Sequence, residues 1–323
     1  MKNPVPCFLM LLASIFCNRA DAQPEYTTTN FTHNLAPFKV SLTLAGMENI
    51  LTPVTAGVLI EGQLKDRLFY NVQFRQGFIR NFLIAPSKLI TTQKESKGTV
   101  FEAGTDWSFS EKTKKGRVRV TTSRDLIYND KYILEKYFMA DCEVRRSWAF
   151  SGGVIFYQRP RYVNSDSSMY IISGDEDIRA PRDGFTHFNQ TTLGAYAGLA
   201  KRKIRKALVN SAGLNHRVHY SVKFYAHAFV GSTAAGDIVY NNLTFTIDNA
   251  NRMPFGYRIG WQWDQMGMVT GFEFGKMPGI SLKTPVKQSE LSKIFSNNPL
   301  LNYARITFHI NIFNGDKNYY IRN

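Results

Sequence analysis

From residue 254 to 276 the chain reads PFGYRIGWQWDQMGMVTGFEFGK, and apolar and polar side chains alternate with a period of two. Tyr257, Ile259, Trp261 and Trp263 fill one register, with Arg258, Gly260, Gln262 and Asp264 between them. After a turn at 265–267, Met268, Phe272 and Phe274 oppose Gly271, Glu273 and Gly275. A period of two belongs to strands, so this segment is a β-hairpin. A hairpin with one greasy and one charged face has two solutions. In a soluble barrel or sandwich the aromatic row turns into a core; in an outer-membrane barrel it turns out to lipid and encloses the charged row. Periodicity alone does not choose between them.

The N-terminus narrows the choice. Lys2 precedes an apolar run from Cys7 to Phe16, then Ala20-Asp21-Ala22 and Gln23, the pattern of a secretory signal peptide over 1–22. A lipoprotein anchor at Cys17 competes with it, but bulky Phe16 fits poorly where a small residue is expected. Beyond the signal no apolar run approaches the ~20 residues of a membrane helix, so any crossing uses strands. Cys142 is then the one cysteine left in the mature chain, and an intrachain disulfide is impossible. The formal charge of +15 falls to +14 once Lys2, Arg19 and Asp21 leave with the signal. An exported chain meets lipopolysaccharide phosphates and anionic lipid head groups before nucleic acid, so outer-membrane lipid and lipopolysaccharide are the expected partners and nucleic acid is not.

Alternation recurs in FKVSLTLAG from Phe38, TVFEAGTDWSF from Thr99, SWAFSGGVIF from Ser147, VHYSVKFYAHAFV from Val218 and ARITFHINI from Ala304. It predicts an all-β chain: a single antiparallel transmembrane β-barrel over 37–313, preceded by a polar arm at 23–36 and followed by a tail at 314–323. Strands are expected near 37–46, 56–64, 68–79, 99–110, 116–123, 132–140, 144–158, 192–200, 204–212, 218–231, 238–247, 255–264, 268–276 and 303–313. That makes fourteen, or twelve without the weak ones at 132–140 and 238–247. Short periplasmic turns at 65–67, 111–115, 141–143, 201–203, 232–237 and 265–267 then alternate with connections that include long external loops at 80–98, 159–191 and 277–302. A short helix over 287–295 is expected inside the last loop.

These features resemble outer-membrane β-barrel proteins of the Bacteroidota. The resemblance rests on a signal ending ADAQ, on GAYAGL followed by a basic stretch, on FGYRIGWQW turning tightly into GFEFGKMPG, and on a last aromatic-alternating strand. It covers most of the mature chain in style and implies location and architecture far more than activity. One departure is that NGDKNYYIRN follows Phe313, where such barrels usually stop at the terminal aromatic.

The polar register places Lys39, Glu61, Arg75, Glu102, Asp106, Arg119, Lys223, Arg258, Asp264, Glu273 and Arg305 in the lumen. The apolar register places Trp107, Trp148, Tyr257, Trp261, Trp263, Phe272 and Phe274 against lipid. Both charge signs in the lumen suit either a conduit selecting small polar solutes or a side-chain-filled interior that stiffens the wall. The loop at 159–191 is long enough to plug it. Basic runs EKTKKGRVR and AKRKIRKAL suit anchoring at anionic lipid or docking of an outer-membrane or periplasmic protein. Asp166, Asp175, Glu176 and Asp177 lack the ordered spacing of a calcium loop and read as a solvated loop. His219 and His227 share a face but stand about 27 Å apart along a strand, too far for one metal. His187 lies among Ser and Thr neighbours without a motif that joins nucleophile, base and orienting group. The sequence therefore predicts no enzyme, no cofactor and no metal, and a porin-like channel ahead of a non-conducting structural or docking subunit.

Overall fold

A computed structural model describes residues 25–30, 36–48, 54–77, 98–127, 132–164, 170–173, 176–179, 185–211, 214–236, 238–240, 243–245, 250–265, 267–282 and 303–314. The expected signal peptide, the 287–295 helix and tail residues 315–323 lie outside them, as do the side chains of the acidic loop around Asp175. The strands are β1 (Tyr26–Asn30), β2 (Lys39–Glu48), β3 (Val54–Lys65), β4 (Leu68–Gly77), β5 (Thr99–Ile127), β6 (Tyr132–Asn164), β7 (Tyr170–Ser173), β8 (Glu176–Arg179) and β9 (Phe185–Ser211). They continue with β10 (Leu214–Ala235), β11 (Ile238–Tyr240), β12 (Leu243–Phe245), β13 (Ala250–Met253), β14 (Phe255–Gln265), β15 (Met268–Lys276), β16 (Gly279–Leu282) and β17 (Tyr303–Asn314). No described helix is long and apolar enough to cross a membrane, which says nothing of strands.

Ten strands close on themselves in the order β9-β10-β14-β15-β17-β2-β3-β4-β5-β6 and back to β9, all antiparallel, while β1 adds to β9 from outside. The closed barrel is as expected, but its strand number is ten rather than fourteen or twelve. The expected turns at 111–115, 141–143 and 201–203 are mid-strand, because β5, β6 and β9 run unbroken through them. Each of those stretches is charged, and charge is not a turn signal without residues that accept φ > 0. The strand expected at 238–247 is instead the small β11/β12 pair, a sheet separate from the wall. Connections still sort by end. The paired ends of β3/β4, β5/β6, β9/β10 and β14/β15, together with the start of β2 and the end of β17, mark one end, the turn end. Gly267, at φ 92°, supplies the left-handed residue of the last turn. The longer connections lie at the other, loop end.

Alternation dictates which side chains are enclosed. Along β5, Val100, Glu102, Asp106 and Ser108 are buried while Phe101, Trp107 and Phe109 are exposed; along β17, Arg305, Thr307 and His309 are buried while Ile306, Phe308 and Ile310 are exposed. The barrel is thus polar inside and apolar outside.

At the turn end the wall splits. β6 and β9 pair from Asn164/Phe185 only as far as Arg145/Ile204, and β1 takes the vacated edge of β9 with Tyr26 opposite Ser211. The distal half of the β5/β6 hairpin then packs over the β9/β10 hairpin and β1. Val118, Val120, Phe138, Ala140, Cys142 and Val144 meet Ala207, Val209 and Val218 in a small apolar core, with Tyr26 against Phe138 at 5.3 Å between ring centroids. The alternation does not predict this two-layer annex, which takes Tyr26–Asn30, within the expected polar arm, as strand β1. A bulge at Phe109 sets Ser108 opposite Ala149 and Ser110 opposite Trp148, so the faces of β5 exchange parity there.

Candidate functional site

The enclosed charges meet at mid-height of the barrel. Arg258 on β14 is fully buried, 2 % exposed, and its guanidinium forks onto Glu102 of β5, with Nη1 to Oε2 at 3.0 Å and Nη2 to Oε1 closer still. Bidentate pairing of this kind is the strong form of an ion pair. Glu273 of β15 lies 3.6 Å from Arg258 Nη1 and accepts closely from Arg305 of β17 and the Tyr225 hydroxyl of β10. Arg305 also reaches Glu102 at 3.7 Å. Arg75 on β4 is 0 % exposed. A group lining a water-filled pore keeps accessible surface; these do not.

Nearer the turn end, Asp106 accepts from Arg202 Nη2 at 2.9 Å, from Lys223 Nζ at 2.6 Å and from Ser151 Oγ at 2.6 Å. Lys39 joins Asp264 at 2.7 Å and Glu61 more closely, and Gln262 donates to Glu61 at 3.0 Å. A polar cavity of about 30 Å³ among Lys39, Asp106, His219 and Asp264 has room for one or two waters.

Room for large interior side chains comes from glycines. Gly104 and Gly153 face each other across β5 and β6, and Tyr196 of β9 lies beside them. A Cβ at Gly153 would overlap the Ala103 carbonyl oxygen. Tyr196 in turn stacks on His227 at 4.7 Å and carries the Arg258 guanidinium at 4.6 Å over its ring. At the loop end Met277 enters an apolar layer with Val100, Ile155, Tyr157, Tyr196 and Phe229. The Tyr157 hydroxyl donates to the Pro278 carbonyl at 2.6 Å and accepts from Gln190 at 3.0 Å. Among the described residues, the segment following β15 thus enters the barrel at its loop end. Of the loop expected at 159–191, the two ends instead prolong the β6/β9 ladder.

One constellation brings Ser, His and Asp together. Arg258 Nε donates to His227 Nδ1 at 2.9 Å, His227 Nε2 lies 2.9 Å from Ser151 Oγ, and Ser151 donates to Asp106. Arginine only donates, so Nδ1 accepts and the proton sits on Nε2. His227 is then a donor toward the serine, and the polarity runs opposite to that of a base activating a nucleophile. The chain orients four buried side chains from Arg258 to Asp106. Among the described residues no group of His, Cys, Asp and Glu could hold a metal.

Of the residues expected in the lumen, Lys39, Glu61, Arg75, Glu102, Asp106, Lys223, Arg258, Asp264, Glu273 and Arg305 all point into the barrel. Arg119 does not: past the Phe109 bulge it lies on the exposed face of the annex, 3.9 Å over the Tyr137 ring. Trp107, Trp148, Trp261 and Trp263 are exposed on the outside, and Tyr257, Phe272 and Phe274 are half-buried in the same outer register. Tyr225, Tyr196, Ser151 and Arg202 were missed as parts of the network. Their inward register is readable for the first three, whereas Arg202 was hidden by the expected turn. Neither a protein family, nor a curated protein, nor a solved structure matches the chain.

Proposed function

We propose that this protein spans an outer membrane as a closed, non-conducting β-barrel and serves as a structural or docking subunit, with its annex on the periplasmic side. The observation that carries this reading is the Glu102–Arg258–Glu273–Arg305 cross-brace, inaccessible to water at mid-barrel. A barrel of about eight strands is just filled by its own side chains, and at ten the large Arg, Tyr and Glu side chains serve that end. The membrane placement draws support from the outer belt of Leu42, Phe74, Trp107, Phe150, Leu199, Phe224, Trp261 and Phe308, which is far larger than the apolar patch a soluble monomer exposes. It also draws support from the sorting of connections, because outer-membrane barrels keep their short turns on the periplasmic side. Lipid and lipopolysaccharide would surround the belt, and an outer-membrane or periplasmic protein would meet the annex. Reconstitution of the mature chain into planar bilayers tests the reading. Inserted protein without conductance steps is the expected result; regular ohmic steps would restore transport of small polar solutes instead.

A further inference from the structure

The two basic runs, remote in sequence, meet where the strands leave the barrel. Cross-strand pairing sets Lys112 opposite Arg146 and Arg146 opposite Lys203, one row across β5, β6 and β9 on the outer face. The next row toward the barrel is Ser110, Trp148 and Lys201, with Lys201 Nζ 5.0 Å over the Trp148 ring. Beyond the Phe109 bulge the following row is wholly apolar: Trp107, Phe150 and Leu199. Strands stand about 4.8 Å apart, so the cations of one row are close neighbours. Lys112, Arg146 and Lys201 are exposed and Lys203 half-buried, and none of them pairs with a carboxylate among the described residues. The nearby carboxylates are engaged on the other face: Glu111 with Arg145, and Asp141 with Arg117.

We propose that Lys112, Arg146 and Lys203, with Lys201 above them, form a binding site for the phosphate of an anionic glycerophospholipid in the leaflet on the turn side. Resting on the membrane-spanning reading, the inference adds a ligand to it. A lipid fits better than a soluble anion because the site is continuous with Trp148 and the Trp107–Phe150–Leu199 row. Tryptophan marks the interface between head groups and hydrocarbon, so the phosphate meets the cations while the acyl chains follow the apolar rows.

The test compares association of spin-labelled phosphatidylglycerol and phosphatidylcholine with the full mature protein in phosphatidylcholine vesicles. Wild type should favour phosphatidylglycerol by at least about three-fold. The Lys112→Gln/Arg146→Gln/Lys203→Gln variant should lose that preference, while Lys65→Gln/Arg67→Gln, at the β3/β4 turn, should keep it. Should the triple variant fail to insert, Arg146→Gln alone should at least halve the preference. Equal association of both lipids with inserted wild type would overturn the proposal, as would equal loss in the Lys65/Arg67 control. Inorganic phosphate at matched ionic strength should leave the preference intact; abolition by phosphate would assign the site to a soluble anion. Failure of wild type to insert into any vesicle would instead remove the membrane reading itself.

Discussion

The barrel and its annex are built from the same strands with the same alternation, yet they are solvated in opposite senses. Along β6 the even-numbered side chains stay on one face throughout. Phe150 on that face is 54 % exposed outside the barrel, whereas Val144, three pairs further along, is 2 % exposed inside the annex core. The odd-numbered face behaves inversely: Ser147 and Ser151 are enclosed, and Tyr137 and Met139 are exposed. Period two therefore defines two faces without saying which medium each will meet. What decides is closure. Where the sheet closes, its concave face is sealed and must be satisfied by ion pairs; where the seam between β6 and β9 opens, the convex faces fold onto each other and need only apolar packing.

The two interiors should consequently break in different ways. The largest effect is expected from Glu102→Leu, which strands Arg258 in a dry interior at a cost of about 3–5 kcal/mol. Adding Arg258→Met should recover most of that loss, and urea unfolding of the refolded barrel in lipid measures both. Next, Phe138→Ala should cost about 3 kcal/mol by leaving a cavity in the annex. Its hydrogen exchange should rise in 111–144 and 203–219 and not in β14 or β15. Equal acceleration around the barrel would show that annex and barrel unfold as one unit. A smaller contrast compares Val144→Ser with Val154→Ser. The first buries a hydroxyl in protein and should cost about 1–3 kcal/mol in detergent and bilayer alike. The second, on the exposed outer face, should be felt only in the bilayer. Finally, Cys142 is buried in the annex core, so maleimide should label it only as the annex opens.

Much of this was legible in the residues. The register that carries Glu102, Arg258, Glu273 and Arg305 reads directly as the enclosed face, because charged and aromatic side chains alternate without interruption there. The strand count did not, since Glu111–Lys115 and Lys201–Lys203 look like the ends of membrane-length strands although nothing in them turns the chain. Arg119 pairs with Met139 on the face that continues the lumen wall through Ser147 and Ser151, but beyond Arg145, where β6 parts from β9, that face is no longer enclosed, and nothing in the sequence marks the parting. The annex was hidden for a related reason: Val118, Val120, Phe138 and Val144 carry the same alternation as lipid-facing positions, and only the parting of β6 from β9 gives them protein to pack against. The Arg258–His227–Ser151–Asp106 chain depends on partners from four strands that no local pattern joins.

All four tryptophans of the chain, Trp107, Trp148, Trp261 and Trp263, lie on the outer face of the barrel, between 40 % and 51 % exposed. Intrinsic fluorescence therefore reports on what surrounds the convex wall without any mutation. In vesicles of brominated lipid the emission should be strongly quenched, while aqueous acrylamide should have little effect. Strong quenching by acrylamide with none by brominated lipid would contradict a barrel whose outer belt is solvated by hydrocarbon.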